Sequence, residues 1–112
     1  MKKIECIIRP GKVEDITDAL SKVGLKGITV TQVTGCGEQQ GRKEVYRGAT
    51  YDIRLLSKVK IEIVAKDEMV DQIVEIISDT ARTGQIGDGK IFIYPVENAI
   101  RIRTGEVGEA AI

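Results

Sequence analysis

The sequence contains no histidine, no tryptophan and only two cysteines among its 112 residues. Because histidine is the commonest zinc ligand and the commonest general base, its absence argues against a zinc centre and against the usual acid–base catalysis. Cys6 and Cys36 stand alone, with neither a CxxC spacing nor a disulfide framework. Hydrophobic runs of the roughly 20 residues that a membrane-spanning helix needs are also missing. These absences predict a soluble, cytoplasmic protein.

Net charge is absent as well, because 17 Lys and Arg residues balance 17 Asp and Glu residues. No overall field therefore attracts nucleic acid or an anionic membrane, and an anion-binding site must be built locally. The chain length fits one domain, residues 1–112, and the hydrophobic content of 42% suffices for one core. So small a domain leaves much surface exposed, so we expect it to form an oligomer.

Local patterns predict four strands and two helices in the order βαββαβ. Strands are predicted over residues 3–9, 28–34, 59–65 and 90–96, with a short extended piece over 99–103. Gly24 is expected to end the first helix and Asp67 to cap the second. The apolar helix positions are Val13, Ile16, Leu20 and Val23, then Met69, Val70, Ile73, Val74, Ile77 and Ala81. This order predicts an α+β, ferredoxin-like sandwich with both helices on one face of an antiparallel sheet.

Residues 37–57 do not fit this pattern, because they carry neither a sustained helical period nor a sustained strand period. Structureless loops of such length are uncommon in a compact domain and are usually functional or disordered. Two interpretations stay open: a long hairpin with an obscure pattern, or a flexible loop that binds partners or responds to ligands.

A glycine-rich segment, Thr83–Lys90, is the strongest candidate for an anion site. Its last seven residues match the start of a Walker A loop, but Ile91 replaces the magnesium-binding Ser or Thr. The segment also runs from a helix into a strand, the reverse of that motif. The remaining hypothesis is that backbone N–H groups converge on an anion beside Lys90. The alternative is a helix end followed by a turn.

Arg101 and Arg103 alternate with two isoleucines. In an extended segment both guanidinium groups would leave the same face, which suits phosphate oxygens. The alternative is a solvated edge strand.

Four stretches, in this order, resemble the PII family of nitrogen-regulatory signal proteins: residues 46–51 (YRGATY), 58–64 (KVKIEIV), 83–92 (TGQIGDGKIF) and 100–106 (IRIRTGE). The resemblance covers essentially the whole chain. It implies a regulatory binding protein that is not an enzyme, in which any hydrolysis of ATP would be slow.

The family's architecture is a compact homotrimer with nucleotide bound in clefts between subunits. The resemblance implies a T-loop at about residues 37–57, a phosphate-binding B-loop at about 82–90 and a C-terminal loop at about 102–112. The implied ATP- or ADP-binding residues are Thr29, Gly35, Gly37, Val64, Gly87, Asp88, Gly89, Lys90, Arg101 and Arg103.

The resemblance also implies a site for 2-oxoglutarate. Gln39 would ligate Mg²⁺ between the ATP phosphates and the keto acid, and Lys58 would pair with a carboxylate, with Arg9 nearby. Backbone N–H groups of residues 37–41, including that of Gly41, would complete the site.

Partners are implied through the T-loop. Arg47 matches a loop-tip arginine that plugs ammonium channels in one branch, and Tyr51 matches a tyrosine that some relatives carry as a uridylylation or adenylylation site. The implied partners are an ammonium transporter, glutamine synthetase or its regulators, with membrane contact only through a transporter. Glu38 and Gln40 replace residues that are basic in many relatives, which is expected to weaken phosphate or 2-oxoglutarate binding or to shift the ATP/ADP preference.

Two alternatives remain. One is a ferredoxin-like trimeric structural or metal-binding protein without nucleotide sensing, against which the lack of histidine and of clustered thiols argues. The other is an enzyme on the same fold, for which no nucleophile or water-positioning site is recognised.

Overall fold

A computed structural model describes residues 1–35, 43–46, 49–52 and 55–112, and for residues 43–46 and 49–52 it describes the backbone. The strands are β1 (Lys2–Ile8), β2 (Ile28–Gly35), β3 (Lys43–Tyr46), β4 (Ala49–Asp52), β5 (Leu56–Ala65) and β6 (Lys90–Pro95). The helices are α1 (Val13–Lys22) and α2 (Val70–Ala81), with short 3₁₀ turns at Pro10–Lys12, Asp67–Met69 and Gly108–Ala111.

The main sheet has four antiparallel strands in the order β2-β5-β1-β6. This order, with one helix after β1 and one after β5, is the ferredoxin-like arrangement, so the predicted fold is confirmed. Among the described residues, no helix is both long and apolar enough to cross a membrane.

The core lies between one face of the sheet and the two helices. In β1, Ile4 and Cys6 are fully buried and lie opposite Ile63 and Ile61 of β5. The helices contribute the apolar stripes that their spacing predicted, with Ile16, Leu20, Ile73 and Ile77 as the most buried members. Among the described residues no polar or charged side chain is buried, so burial of these apolar groups supplies most of the driving force for folding.

The opposite face of the sheet carries charged and aromatic side chains. Lys3 lies 3.4 Å from Glu62 on the neighbouring strand, and its ammonium sits 4.9 Å from the centre of the Tyr94 ring. Phe92 and Tyr94 on this face remain 43% and 42% exposed. We call this surface the open face of the sheet.

Two local predictions were wrong. Asp67 does not cap α2, because it begins a separate 3₁₀ turn and its carboxylate lies 2.9 Å from the Met1 ammonium group. Residues 99–103 are not extended either. Ile100 makes an isolated bridge to Val107, and residues 102–104 between them form a turn.

The segment predicted as a loop contains secondary structure. β3 and β4 pair as an antiparallel hairpin, with Lys43 opposite Asp52 and Tyr46 opposite Ala49. β5 already begins at Leu56, inside the predicted loop. Residues 43–46 and 49–52 therefore fit the hairpin interpretation, and the binding of partners by this segment stays a prediction.

Candidate functional site

The glycine-rich segment between α2 and β6 is shaped by glycine conformations. Gly84, Gly87 and Gly89 have φ angles of +87°, +102° and +108°, which residues with a side chain rarely adopt. Gly89 also lies against β1, because a Cβ atom built on it would stand 1.8 Å from the carbonyl oxygen of Ile7. At this position only glycine permits the close approach of the two backbones.

The Asp88 carboxylate closes this loop through hydrogen bonds to its first residues. It accepts hydrogen bonds from the backbone N–H of Thr83 at 2.8 Å and of Gly84 at 2.9 Å, and from the Thr83 hydroxyl. The Thr83 hydroxyl, the backbone donors and the Arg9 guanidinium together lower the pKa of Asp88 from 3.8 to about 2. The ionised carboxylate therefore ties the loop back to the end of α2.

Arg9 joins the loop to the main sheet. This residue follows the last residue of β1, and its Nη2 donates to the carbonyl oxygen of Ile86 at 2.8 Å. Its Nε lies 3.5 Å from the Asp88 carboxylate, with about a quarter of each side chain exposed. One guanidinium group thus reaches two points of the loop.

Lys58 of β5 reaches the same loop from the next strand, donating from Nζ to the carbonyl oxygen of Gly87 at 3.0 Å. Partial burial, followed by the nearby charge of Arg9, lowers the pKa of Lys58. Lys90 begins β6 opposite Ile7 and is exposed. Three cationic side chains, those of Arg9, Lys58 and Lys90, therefore lie at one end of the sheet beside the glycine-rich loop. Such an arrangement suits a phosphate or carboxylate anion.

Two of the predicted nucleotide-binding residues, Thr29 and Val64, lie on the open face of the sheet. Thr29 is opposite Glu62 of β5, and Val64 of β5 is opposite Lys3. Both positions are several residues along β5 from Lys58. Gly35 ends β2 next to Lys58, whose Cγ would lie 4.0 Å from a Cβ atom at that position.

Arg101 and Arg103 belong to a different part of the molecule. β6 begins at Lys90 and ends at Pro95. The next residue, Val96, donates its backbone N–H to the carbonyl oxygen of Met1 at the opposite end of the sheet. Beyond it, Arg101 and Glu106 close a tight hairpin through a 2.9 Å backbone hydrogen bond. The predicted phosphate-binding residues therefore form two groups within one chain, and β6 separates them.

Several predicted residues fall in the part of the chain that the structure does not describe. Gly37, Gln39, Gly41 and Arg47 lie outside the described residues, as do the departures Glu38 and Gln40. Tyr51 lies in β4 with its Cα opposite Glu44. The roles predicted for these residues stay predictions.

Two contributors were missed by sequence reasoning: Thr83, which donates to Asp88, and the carbonyl oxygen of Ile86, which accepts from Arg9. The Thr83 contact had a signal in the sequence, because a threonine at a helix end five residues before an aspartate is suited to a side-chain-closed turn. The carbonyl contact had none, since any residue type supplies a carbonyl.

The fold and this site define a small ferredoxin-like domain with a glycine-rich loop flanked by cationic side chains. A protein-family model described as Nitrogen regulatory protein P-II matches residues 1–106. Proteins named Nitrogen regulatory protein P-II from Pasteurella multocida and Haemophilus influenzae are 60% and 57% identical to the chain over the full length of both sequences. The Nitrogen regulatory protein P-II 1 of Escherichia coli K12 is 56% identical over the same extent. The chain belongs to the P-II family of nitrogen regulatory proteins, as the resemblance predicted.

Proposed function

We propose that this chain senses ATP or ADP together with 2-oxoglutarate and controls targets of nitrogen assimilation. The observation that carries the proposal is the cluster of Arg9, Lys58 and Lys90 around the positive-φ glycines of the loop Thr83–Lys90. Cationic side chains beside a glycine-rich loop suit a polyphosphate, and both lie at this end of the sheet.

The second effector fits the same cluster. 2-Oxoglutarate carries two carboxylates. The Lys58 ammonium group, which contacts Gly87 of the loop Thr83–Lys90, would pair with one of them. Mg²⁺, held by Gln39 and the ATP phosphates, would supply the cation that both anions share. Each effector would then favour the binding of the other, and this coupling has to be reciprocal.

The two separated groups of arginine and lysine support an assembly of several copies of the chain. Lys90 and the hairpin of Arg101 and Arg103 lie at opposite ends of β6, so one nucleotide would contact both groups if a neighbouring copy supplied one of them. The aromatic side chains of Phe92 and Tyr94 are partly exposed on the open face, where a neighbouring copy of the chain would bury them. We infer a compact homotrimer with nucleotide in its clefts, acting in the cytoplasm.

Residues 37–57 would make the contacts with target proteins. Arg47 is the proposed contact with an ammonium transporter, and Tyr51 is the candidate modification site. Glutamine synthetase or its regulators are the other proposed partners. An Arg47→Ala variant should bind nucleotide normally and lose the transporter in a pulldown, and an unchanged pulldown would remove that partner.

Calorimetric titration with ATP, with and without Mg²⁺ and 2-oxoglutarate, tests the proposal. Micromolar binding of ATP that makes binding of 2-oxoglutarate measurable would support the sensor, and it would show that Glu38 and Gln40 are tolerated. Binding of ATP without any response to 2-oxoglutarate would restrict the function to nucleotide sensing. Absence of nucleotide binding would overturn the proposed sensing function. Sedimentation of the protein as a monomer would overturn the proposed binding cleft between subunits.

A further inference from the structure

We propose that Thr83 is a positioning residue for the loop Thr83–Lys90, because its hydroxyl joins the two halves of the loop through the Asp88 carboxylate. The inference rests on the proposed nucleotide binding and adds to it a residue that holds the site in shape without touching the nucleotide. It predicts that the loss of one hydroxyl group, with no change of charge, lowers the affinity for ADP.

The Thr83 hydroxyl takes part in two hydrogen bonds at the start of the loop. It donates to Oδ1 of Asp88 and accepts from the backbone N–H of Gln85 at 3.1 Å. The other carboxylate oxygen of Asp88 accepts from the backbone N–H groups of Thr83 and Gly84, at 2.8 Å and 2.9 Å. One hydroxyl therefore connects Gln85 to the carboxylate that also holds the two residues before it.

These bonds occupy the backbone donors in the first half of the loop. The N–H groups of Thr83, Gly84 and Gln85 are all bonded within the loop. A phosphate would have to break these bonds to use the same groups, so its contacts are expected in the second half, at residues 87–90. Thr83 would thus act on the ligand through the shape of the loop and not by contact.

Packing gives the start of the loop little other restraint. The side chains of Thr83 and Gln85 are exposed, and no atom lies within 4 Å of the place where a Cβ of Gly84 would stand. The Thr83 hydroxyl is also the main cause that lowers the pKa of Asp88 to about 2, so the carboxylate is ionised at neutral pH and its hydrogen bonds are charge-assisted. Loss of the hydroxyl would remove one of these bonds and release the Gln85 N–H to water.

The test measures ADP affinity by calorimetry, without Mg²⁺ or 2-oxoglutarate, on the full chain, on Thr83→Val and on Thr83→Ser. Valine keeps the shape of threonine without the hydroxyl, whereas serine keeps the hydroxyl. We expect Thr83→Val to weaken ADP binding by about fivefold and Thr83→Ser to stay within about twofold of the unmodified chain. Thr17→Val is the matched control, because it removes an α1 hydroxyl that donates to the Glu14 carbonyl at 3.0 Å, and it should leave the affinity unaltered.

Action through Asp88 is tested by combining Thr83→Val with Asp88→Asn. If the hydroxyl works through the carboxylate, Thr83→Val should cost less ADP affinity in the Asp88→Asn background than in the unmodified chain. Equal losses in the two backgrounds would overturn the link to Asp88. Unchanged ADP affinity in Thr83→Val, or a Thr83→Ser variant as weak as Thr83→Val, would overturn the role of the hydroxyl.

Hydrogen exchange of the backbone amides of Gly84 and Gln85, measured without any ligand, separates this inference from the proposed function. Faster exchange in Thr83→Val, with Thr83→Ser close to the unmodified chain, supports the positioning role, and unchanged exchange in Thr83→Val overturns it. Failure of the unmodified chain to bind ADP would overturn the proposed function, while the exchange rates would still decide whether Thr83 holds the loop.

Discussion

The Asp88 carboxylate accepts a 2.8 Å hydrogen bond from the backbone N–H of Thr83, five residues earlier in the chain, and a second bond from the Thr83 hydroxyl. Together these bonds fold the glycine-rich loop back onto the end of α2. The loop is thereby tied at both ends, since Gly89 presses against Ile7 of β1. The protein's own contacts therefore shape this loop without the help of a ligand.

The first prediction concerns pH. The pKa of Asp88 is lowered from 3.8 to about 2, so the ionised carboxylate adds stability that is fully present above about pH 4 and is lost as the pH falls towards 2. Asp88→Asn removes this contribution. The difference in melting temperature between the unmodified chain and Asp88→Asn should therefore be constant near neutrality and should shrink between about pH 4 and pH 2.

Thermal unfolding followed by circular dichroism checks this prediction across that range. Asp18→Asn, a change of an exposed carboxylate on α1, controls for the loss of one negative charge. A difference that stays the same at every pH would contradict the assignment of the shift to Asp88.

A second prediction concerns Gly89. Its φ of +108° and the 1.8 Å separation between a Cβ atom and the Ile7 carbonyl oxygen mean that alanine would force β1 and the loop apart. We expect Gly89→Ala to lower the free energy of unfolding by roughly 2–4 kcal/mol and to weaken ADP binding. Urea denaturation gives the free energy directly.

The control for Gly89→Ala is Gly11→Ala in the turn after β1, where a Cβ atom would have no neighbour within 4 Å. Gly11→Ala should change the free energy of unfolding by less than about 1 kcal/mol. Equal effects at the two glycines would mean that the close approach to Ile7 is not what requires glycine at position 89.

The third prediction separates the two effectors. Lys58→Ala should abolish binding of 2-oxoglutarate in the presence of MgATP while ADP still binds, because the hydrogen bonds from Thr83 and Gly84 to Asp88 still hold the loop. Lys60→Ala, on the same face of β5 and opposite Ile7, is the matched control and should keep both effectors. Calorimetry in which Lys58→Ala loses ADP and 2-oxoglutarate equally would refute separate subsites.

A fourth prediction concerns Cys6. Burial raises the pKa of its thiol to about 11, so the thiol stays protonated at pH 8 and is shielded by the core. In a Cys36→Ser variant, in which Cys6 is the remaining cysteine, a colorimetric thiol reagent should not react until denaturant is added. Rapid labelling of the native variant would show that β1 opens readily, since Cys6 is fully buried.

Much of the fold could be predicted, because strands and helices repeat at different periods. The alternation of Ile4, Cys6 and Ile8 and the helical spacing of Ile73 and Ile77 both place apolar groups on one face, and the structure buries each of them. The hairpin of β3 and β4 was one of two open interpretations of the sequence, because strands of four residues are too short to establish a period. Asp67 was misassigned because the Met1 ammonium, distant in sequence, offers its carboxylate another partner.

The sequence by itself determined the order of the elements, the buried faces, the glycine loop and the family, because each depends on residue types at short spacings. Only the tertiary structure decided what Arg9 contacts, since Asp88 is 79 residues away and meets it through the pairing of β1 with β6. The division of the predicted phosphate residues between two ends of the sheet was likewise fixed by the direction of β6. Such relationships depend on strand order and register, which arise when the whole chain packs into one core.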